Sequence, residues 1–165
     1  MKNNTKKMAY VTMFSAMAIL LNIIESTFIP PVSFGIRFGI ANIISLVTIQ
    51  FFGYKEMIVV NVLRILIGNL LKGLIFGSTF WISTCGVVLS SIALILLKKI
   101  NSSILFSSII SSIMHSIGQI VMVMFFYQQF AVITYLPILF FTSIPTGVLT
   151  GFIAQQVLHR IKLRV

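Results

Sequence analysis

An arginine at position 64 stands inside the run VVNVLRILIGNLLKG, Val59 to Gly73, which is otherwise apolar and long enough to sit in lipid. An ionised side chain at mid-bilayer costs from about 2.5 to more than 10 kcal/mol, and it is tolerated where it faces protein or water. Along this run Asn61, Arg64, Gly68 and Lys72 recur every three or four residues, which places them on one helical face. Asn69 lies off that stripe, toward another neighbour. A second stripe, Ser108, Ser112, His115 and Gln119, has the same spacing further along the chain. Asn22 and Glu25 close the first apolar run, and Arg37 and Asn42 open the second.

Together these side chains offer positive charge and many hydrogen-bond donors. Such a set suits an anionic or zwitterionic solute. Arg37, Arg64 and Lys72 would attract an anionic group, and Asn42, Asn69, His115 and Gln119 would hydrogen-bond the remainder. Glu25, with Asn22 one turn away, would fix one arginine or read a positive group. A purely structural reading stands beside this one: Arg64 could pair with Glu25 or with backbone carbonyls to lock helices together. His115 could likewise be a satisfied core histidine.

Catalytic chemistry is poorly served. The chain has no aspartate, and its two glutamates, Glu25 and Glu56, fall near opposite ends of apolar runs. Clustered carboxylates that would hold Mg²⁺ on a diphosphate are therefore missing. No Ser-His-Asp set, phosphate-cradling loop or CxxC pair is present. His115, His159 and Cys85 fall at different depths and make no metal constellation. No cofactor is expected, and the reading is of a protein that is not an enzyme.

The elements that must position these residues are set by composition. The 165 residues are 58% hydrophobic and 8% charged with mean hydropathy +1.10, far from the roughly 25% charged of soluble domains. A formal charge of +10 would raise nucleic-acid binding, but the Lys and Arg residues sit in short segments between apolar runs and form no basic stripe. Nucleic acid is not an expected partner; the bilayer is. The lone Cys85 lies in an apolar run as a small packing residue.

A bilayer core of about 30 Å needs roughly 20 apolar residues per helix. Six spans are predicted: Met8 to Phe28, Ile36 to Phe52, Glu56 to Leu74, Phe80 to Leu97, Ile104 to Tyr127 and Tyr135 to Leu158. Pro30-Pro31 stops the first, and Lys98-Lys99 the fourth. With the N-terminus inside, Lys2, Lys6, Lys7, Lys55, Lys98, Lys99, Arg160, Lys162 and Arg164 are cytoplasmic, while Arg37 and Lys72 are outside. This distribution puts both termini in the cytoplasm. The polar residues then cluster at mid-depth and in the outer half, as in a recess opening outward. A cleaved leader is disfavoured because the apolar run continues through Ile19 to Ile24.

Small residues four apart mark helix contacts in lipid: Thr12/Ala16, Gly35/Gly39, Gly73/Gly77, Ser108/Ser112/Ser116 and Gly147/Gly151. The fold expected is an all-α integral membrane protein, one six-helix bundle over residues 1–165. The loop holding Pro30-Pro31 and the loop between the third and fourth spans would serve as lids.

The segments FGIRFGIANIISLVTIQFFGYKEMIVVNVLRILIGNLLKG and MHSIGQ resemble the Gx transporter family, also labelled heptaprenyl diphosphate synthase component I. The shared pattern is G-x-x-x-G-x-A-N, then a Gly-Tyr-Lys-Glu turn and an Arg-containing helix, from about Asn22 through Gln119. The resemblance directs attention to Gly35, Gly39, Ala41, Asn42, Arg64, Gly68, His115, Gly118 and Gln119. In size and topology the family is similar to the substrate-binding S components of energy-coupling factor importers. Those dock on a membrane coupling subunit with ATPase subunits through an Ala-x-x-x-Ala surface, where this chain has Thr12-x-x-x-Ala16. The resemblance therefore implies a multi-pass subunit of the cell (inner) membrane that captures a small molecule from the outer face. Its alternative implication is a non-catalytic membrane scaffold beside a separate prenyl diphosphate synthase, or beside flavin- and quinone-linked extracellular electron transfer.

Overall fold

The computed structural model describes residues 2–28 and 39–161. The expected site residue Arg37, together with Pro30, Pro31, Gly35, Lys162 and Arg164, lies outside the described residues. Six α-helices follow in order: α1 Lys2–Phe28, α2 Asn42–Phe51, α3 Tyr54–Leu71, α4 Ser78–Lys99, α5 Ile104–Tyr127 and α6 Leu136–Arg160, with a 3₁₀ turn at Phe130–Tyr135 before the last. No strand occurs among the described residues. Four stretches, Thr5–Phe28, Ser78–Lys99, Ile104–Tyr127 and Phe130–Arg160, are long and apolar enough to cross a membrane.

Two helices depart from the expected span lengths. In α2 the helix begins only at Asn42, after a turn over Gly39, Ile40 and Ala41 in which Gly39 takes φ +80°. Ten residues give about 15 Å of helix, half of a hydrocarbon core. In α3, 18 residues long, Lys55, Glu56, Asn61, Arg64 and Asn69 interrupt the apolar surface, and it is not among the four membrane-length apolar helices. In contrast, α1 extends back through the basic N-terminal segment to Lys2.

Local chemistry explains most boundaries. Ser103 caps α5 by accepting from the Phe106 N–H at 3.3 Å. Gln128, in the left-handed region, ends the same helix. Lys98 and Lys99 fill the last turn of α4, where cations complement exposed carbonyls. The α2–α3 connection is only Phe52-Gly53, and Gly53 at φ +100° makes that reversal possible. Pro145 lies within α6; its missing N–H leaves one turn of that helix without a backbone bond.

Helices neighbouring in sequence alternate in direction, and polar contacts show it at one end. Lys7 of α1 pairs with Glu56 of α3 at 2.5 Å, and Lys98 at the end of α4 donates to Gln50 at the end of α2. A core of Phe14, Ala18, Ile49, Met57, Val60, Leu94 and Ala154 fills this basic end. The opposite end is closed by Ile82, Ile120, Val123, Val132 and Leu139.

Close packing in the C-terminal half runs through small residues, as association in lipid requires. At Gly118 a Cβ would stand 2.7 Å from the Cys85 carbonyl oxygen, and at Gly147 it would stand 2.7 Å from the Ile109 Cα. Ser108 and Thr150 share a 2.8 Å hydrogen bond, and Ser116 and Ser143 one of 2.7 Å. The polar stripe expected on α5 thus splits: Ser108 and Ser116 join α6, while His115 and Gln119 turn to the other side. Thr12 and Ala16 are exposed on α1 and make no internal packing face.

Replacing Gly118 with Ala forces α4 from α5 against backbone atoms that cannot rotate away. We expect a loss of about 1–3 kcal/mol, read as a lowered thermal unfolding midpoint of the purified protein in detergent. An unchanged midpoint for Gly118→Ala and Gly147→Ala alike would contradict these crossings.

Candidate functional site

Between the two apolar ends lies a cavity lined by Asn22, Glu25, Asn42, Arg64, Asn69, His115 and Gln119, together with Gly39, Ala41, Ile65, Ser83 and Val87. Five helices and one turn meet there. Seven of the nine residues expected from sequence line this one space. Lys72 stands beside it, donating to Asn22 Oδ1 at 2.5 Å. The ninth, Arg37, lies outside the described residues.

Arg64 is 2% exposed. Both terminal nitrogens donate to the same oxygen, Asn42 Oδ1, at 3.2 Å each. Its Nε–H has no hydrogen-bond partner, and neither do Asn42 Nδ2 or Asn69 Oδ1. The Arg64–Glu25 ion pair of the structural reading is not made; among the described residues the only salt bridge is Lys7–Glu56. Glu25, 3% exposed, instead accepts from the Gly39 N–H at 2.6 Å.

Backbone geometry around Gly39 makes this possible. At φ +80° it occupies a region that side-chain-bearing residues rarely adopt. A Cβ there would fall 2.9 Å from Asn42 Nδ2 and 3.1 Å from His115 Cδ2. The turn therefore brings α2's first residue, the Glu25 carboxylate and the His115 ring to one point. Gly86 of α4 does the same from the far side, since a Cβ would stand 2.9 Å from both Gln119 Cγ and His115 Cε1. Gly68 makes room for Asn22, whose Oδ1 lies 3.2 Å from where a Cβ would be.

Sequence reasoning missed the contribution of α4. Ser83 and Val87 line the cavity and Gly86 shapes it, yet a serine or a glycine in an apolar run looks like any packing residue. Asn61, placed by its spacing on the Arg64 stripe, belongs elsewhere. It accepts from Ser45 Oγ at 2.5 Å and donates to Ser91 Oγ at 2.9 Å, tying α2, α3 and α4 together. Among the described residues no three His, Cys, Asp or Glu side chains converge as metal ligands would.

The cavity measures about 20 Å³, room for roughly one water molecule. A water there could reach donors and acceptors that the protein leaves over.

A helical bundle with four helices of membrane-crossing length and apolarity, built around a buried arginine and a polar cavity, is the class that fold and site define. The chain belongs to the family described as heptaprenyl diphosphate synthase component I, which matches residues 14–157. No curated protein and no solved structure matches it.

Gly39→Ala should strain the turn and crowd His115 and Asn42, at a cost of about 1–3 kcal/mol. The check is the unfolding midpoint of Gly39→Ala beside that of Gly73→Ala. Gly73 also has positive φ, but nothing lies within 4 Å of its absent Cβ. A loss no larger at Gly39 than at Gly73 would mean that cavity crowding contributes nothing.

Proposed function

We propose that this chain is a non-catalytic, solute-binding subunit of a membrane transporter that takes a small anionic or zwitterionic molecule into the Arg64 cavity from the outer face. One observation carries the reading. A guanidinium removed from water is left with an uncharged amide oxygen as its only hydrogen-bond acceptor among the described residues and with its Nε–H unused. A structural lock would be built with a carboxylate on that group. A ligand site needs donors held in reserve, and an anionic oxygen suits both the fork of Arg64 and the neighbouring Asn42 amide.

Asn69 Oδ1 and Glu25 supply acceptors on the other walls, which fits a zwitterion as well as a simple anion. Lys72 and Asn22 sit where a solute would arrive from the end opposite the Lys7–Glu56 pair. The turn after α3 supports a lid role: Gly73 has φ +67° and Phe76, unusually for a residue with a Cβ, φ +59°. Six spans with both termini in the cytoplasm accord with the basic residues gathered at one end, and the setting is the inner membrane.

The family's description supports a second reading, in which the chain is a membrane scaffold for a separate prenyl diphosphate synthase. Exposed Lys55, Lys98 and Lys99 at the basic end would then be the contact face. Affinity purification from membranes separates the two. A co-purifying coupling subunit with ATPase subunits supports the transporter, and a soluble synthase or flavoprotein supports the scaffold.

Arg64→Met tests the site itself, because it keeps most of the volume and removes the charge. Replacing a buried ion pair by well-packed apolar groups is often neutral or stabilising by about 1–4 kcal/mol, and removing Arg64, which contacts no carboxylate among the described residues, breaks no ion pair. The expected outcome is an equal or higher unfolding midpoint together with loss of any small molecule that mass spectrometry finds retained by the wild-type protein. A marked fall in stability with ligand retention intact would make Arg64 a structural lock.

A further inference from the structure

A second space lies directly behind the cavity. Between α3 and α4 a groove of about 260 Å³ opens outward, walled by Ile58, Val62, Val88 and Ile92. These four side chains are exposed in the isolated chain, so in a bilayer they face acyl chains. Its floor contains polar residues that are already satisfied. Asn61 is bonded to Ser45 and Ser91, and Thr84 donates to the Phe80 carbonyl at 2.7 Å. The groove is thus chemically apolar.

Ile65 and Val87 line both this groove and the polar cavity. One layer of side chain separates a space facing lipid from an arginine with donors in reserve. Phe80 completes that layer, with Ile75 packed against it from the turn joining α3 to α4. The seam itself is thin: α3 and α4 touch far less than α4 and α5 or α1 and α3. Moving apart at this seam disturbs apolar contacts and one hydrogen bond, from Asn61 Nδ2 to Ser91 Oγ. The connecting turn carries left-handed backbone at Gly73 and Phe76, so the strained segment adjoins the layer that would have to part.

Resting on the solute-binding reading above, we infer that the ligand is an amphipathic anion with a single apolar chain, its head on Arg64 and its chain passing the Ile65–Val87 layer into the α3–α4 groove. Two features favour this over a wholly water-soluble ion. The cavity alone has room for about one water, so a larger ligand must extend somewhere, and the adjoining volume is apolar. The groove also shares Ile65 and Val87 with the cavity wall and lies between two helices only, α3 and α4, which fits one chain.

The experiment uses the full-length protein in phosphatidylcholine nanodiscs, with dodecyl phosphate and dodecanoate as amphipathic probes and inorganic phosphate as the head alone. Binding is measured as saturable uptake above protein-free discs. At least one amphipathic probe should bind more than tenfold tighter than inorganic phosphate. Val88→Trp, which fills the groove from its lipid side, should weaken that probe more than tenfold, as should Arg64→Met. Ile92→Phe provides a second groove block should Val88→Trp fail to fold. Equal binding of inorganic phosphate and the amphipaths, or groove variants that bind as wild type while Arg64→Met does not, would overturn the amphipath and leave an anion site standing. Failure of both amphipaths to bind the wild type overturns it as well. Amphipath binding that persists undiminished in Arg64→Met but is lost in the groove variants would mean annular lipid only, and would sink the anion site with it.

Discussion

The rest of the structure is arranged around the burial of the Arg64 guanidinium. A cation this far from water is tolerated only if protein dipoles surround it, and no single helix can supply them. The start of α2 gives the Asn42 oxygen, the end of α1 gives Glu25 and Asn22, α4 gives Ser83, and α5 gives His115 and Gln119. The positions that need glycine follow from this demand. Gly39 lets the chain turn tightly enough to place Asn42 beside the arginine while its own N–H meets Glu25, and Gly86 keeps α4 from pushing His115 and Gln119 out of reach.

The bundle divides into regions held by different forces. At the basic end large aliphatic and aromatic side chains pack around Phe14, Met57 and Leu94. In the C-terminal half the helices approach closely enough for backbone contact, through Gly118, Gly147 and paired hydroxyls. Between α3 and α4 the packing is looser, along an apolar groove crossed by the Asn61–Ser91 hydrogen bond.

The single ion pair among the described residues is also informative. Lys7 and Glu56 meet at the periphery, where partial exposure lets water share the charge. Inside, where a pair would have locked α1 to α3, Glu25 and Arg64 each turn to uncharged partners instead. Both side chains line one cavity without contacting each other.

Much was legible in the chain itself. Apolar runs of membrane length give helices because lipid leaves the backbone no other way to satisfy its polar groups, and α5 runs over the residues the pattern marks, Ile104 to Tyr127. The family pattern and the cost of an intramembrane arginine together pick out the residues that meet in the cavity. What periodicity could not decide was partnership. Spacing of three or four states which residues share a face, but which neighbour that face meets depends on helix rotation and on turns such as Gly39 to Ala41. So Asn61 left the Arg64 stripe for Ser45 and Ser91, the α5 serines joined α6, and α2 shortened to Asn42–Phe51. Composition and local pattern determined that this chain is helical, apolar and centred on a buried cation. Only tertiary packing decided that Glu25 does not neutralise it, because that choice rests on a few ångströms of side-chain reach set by five helices at once.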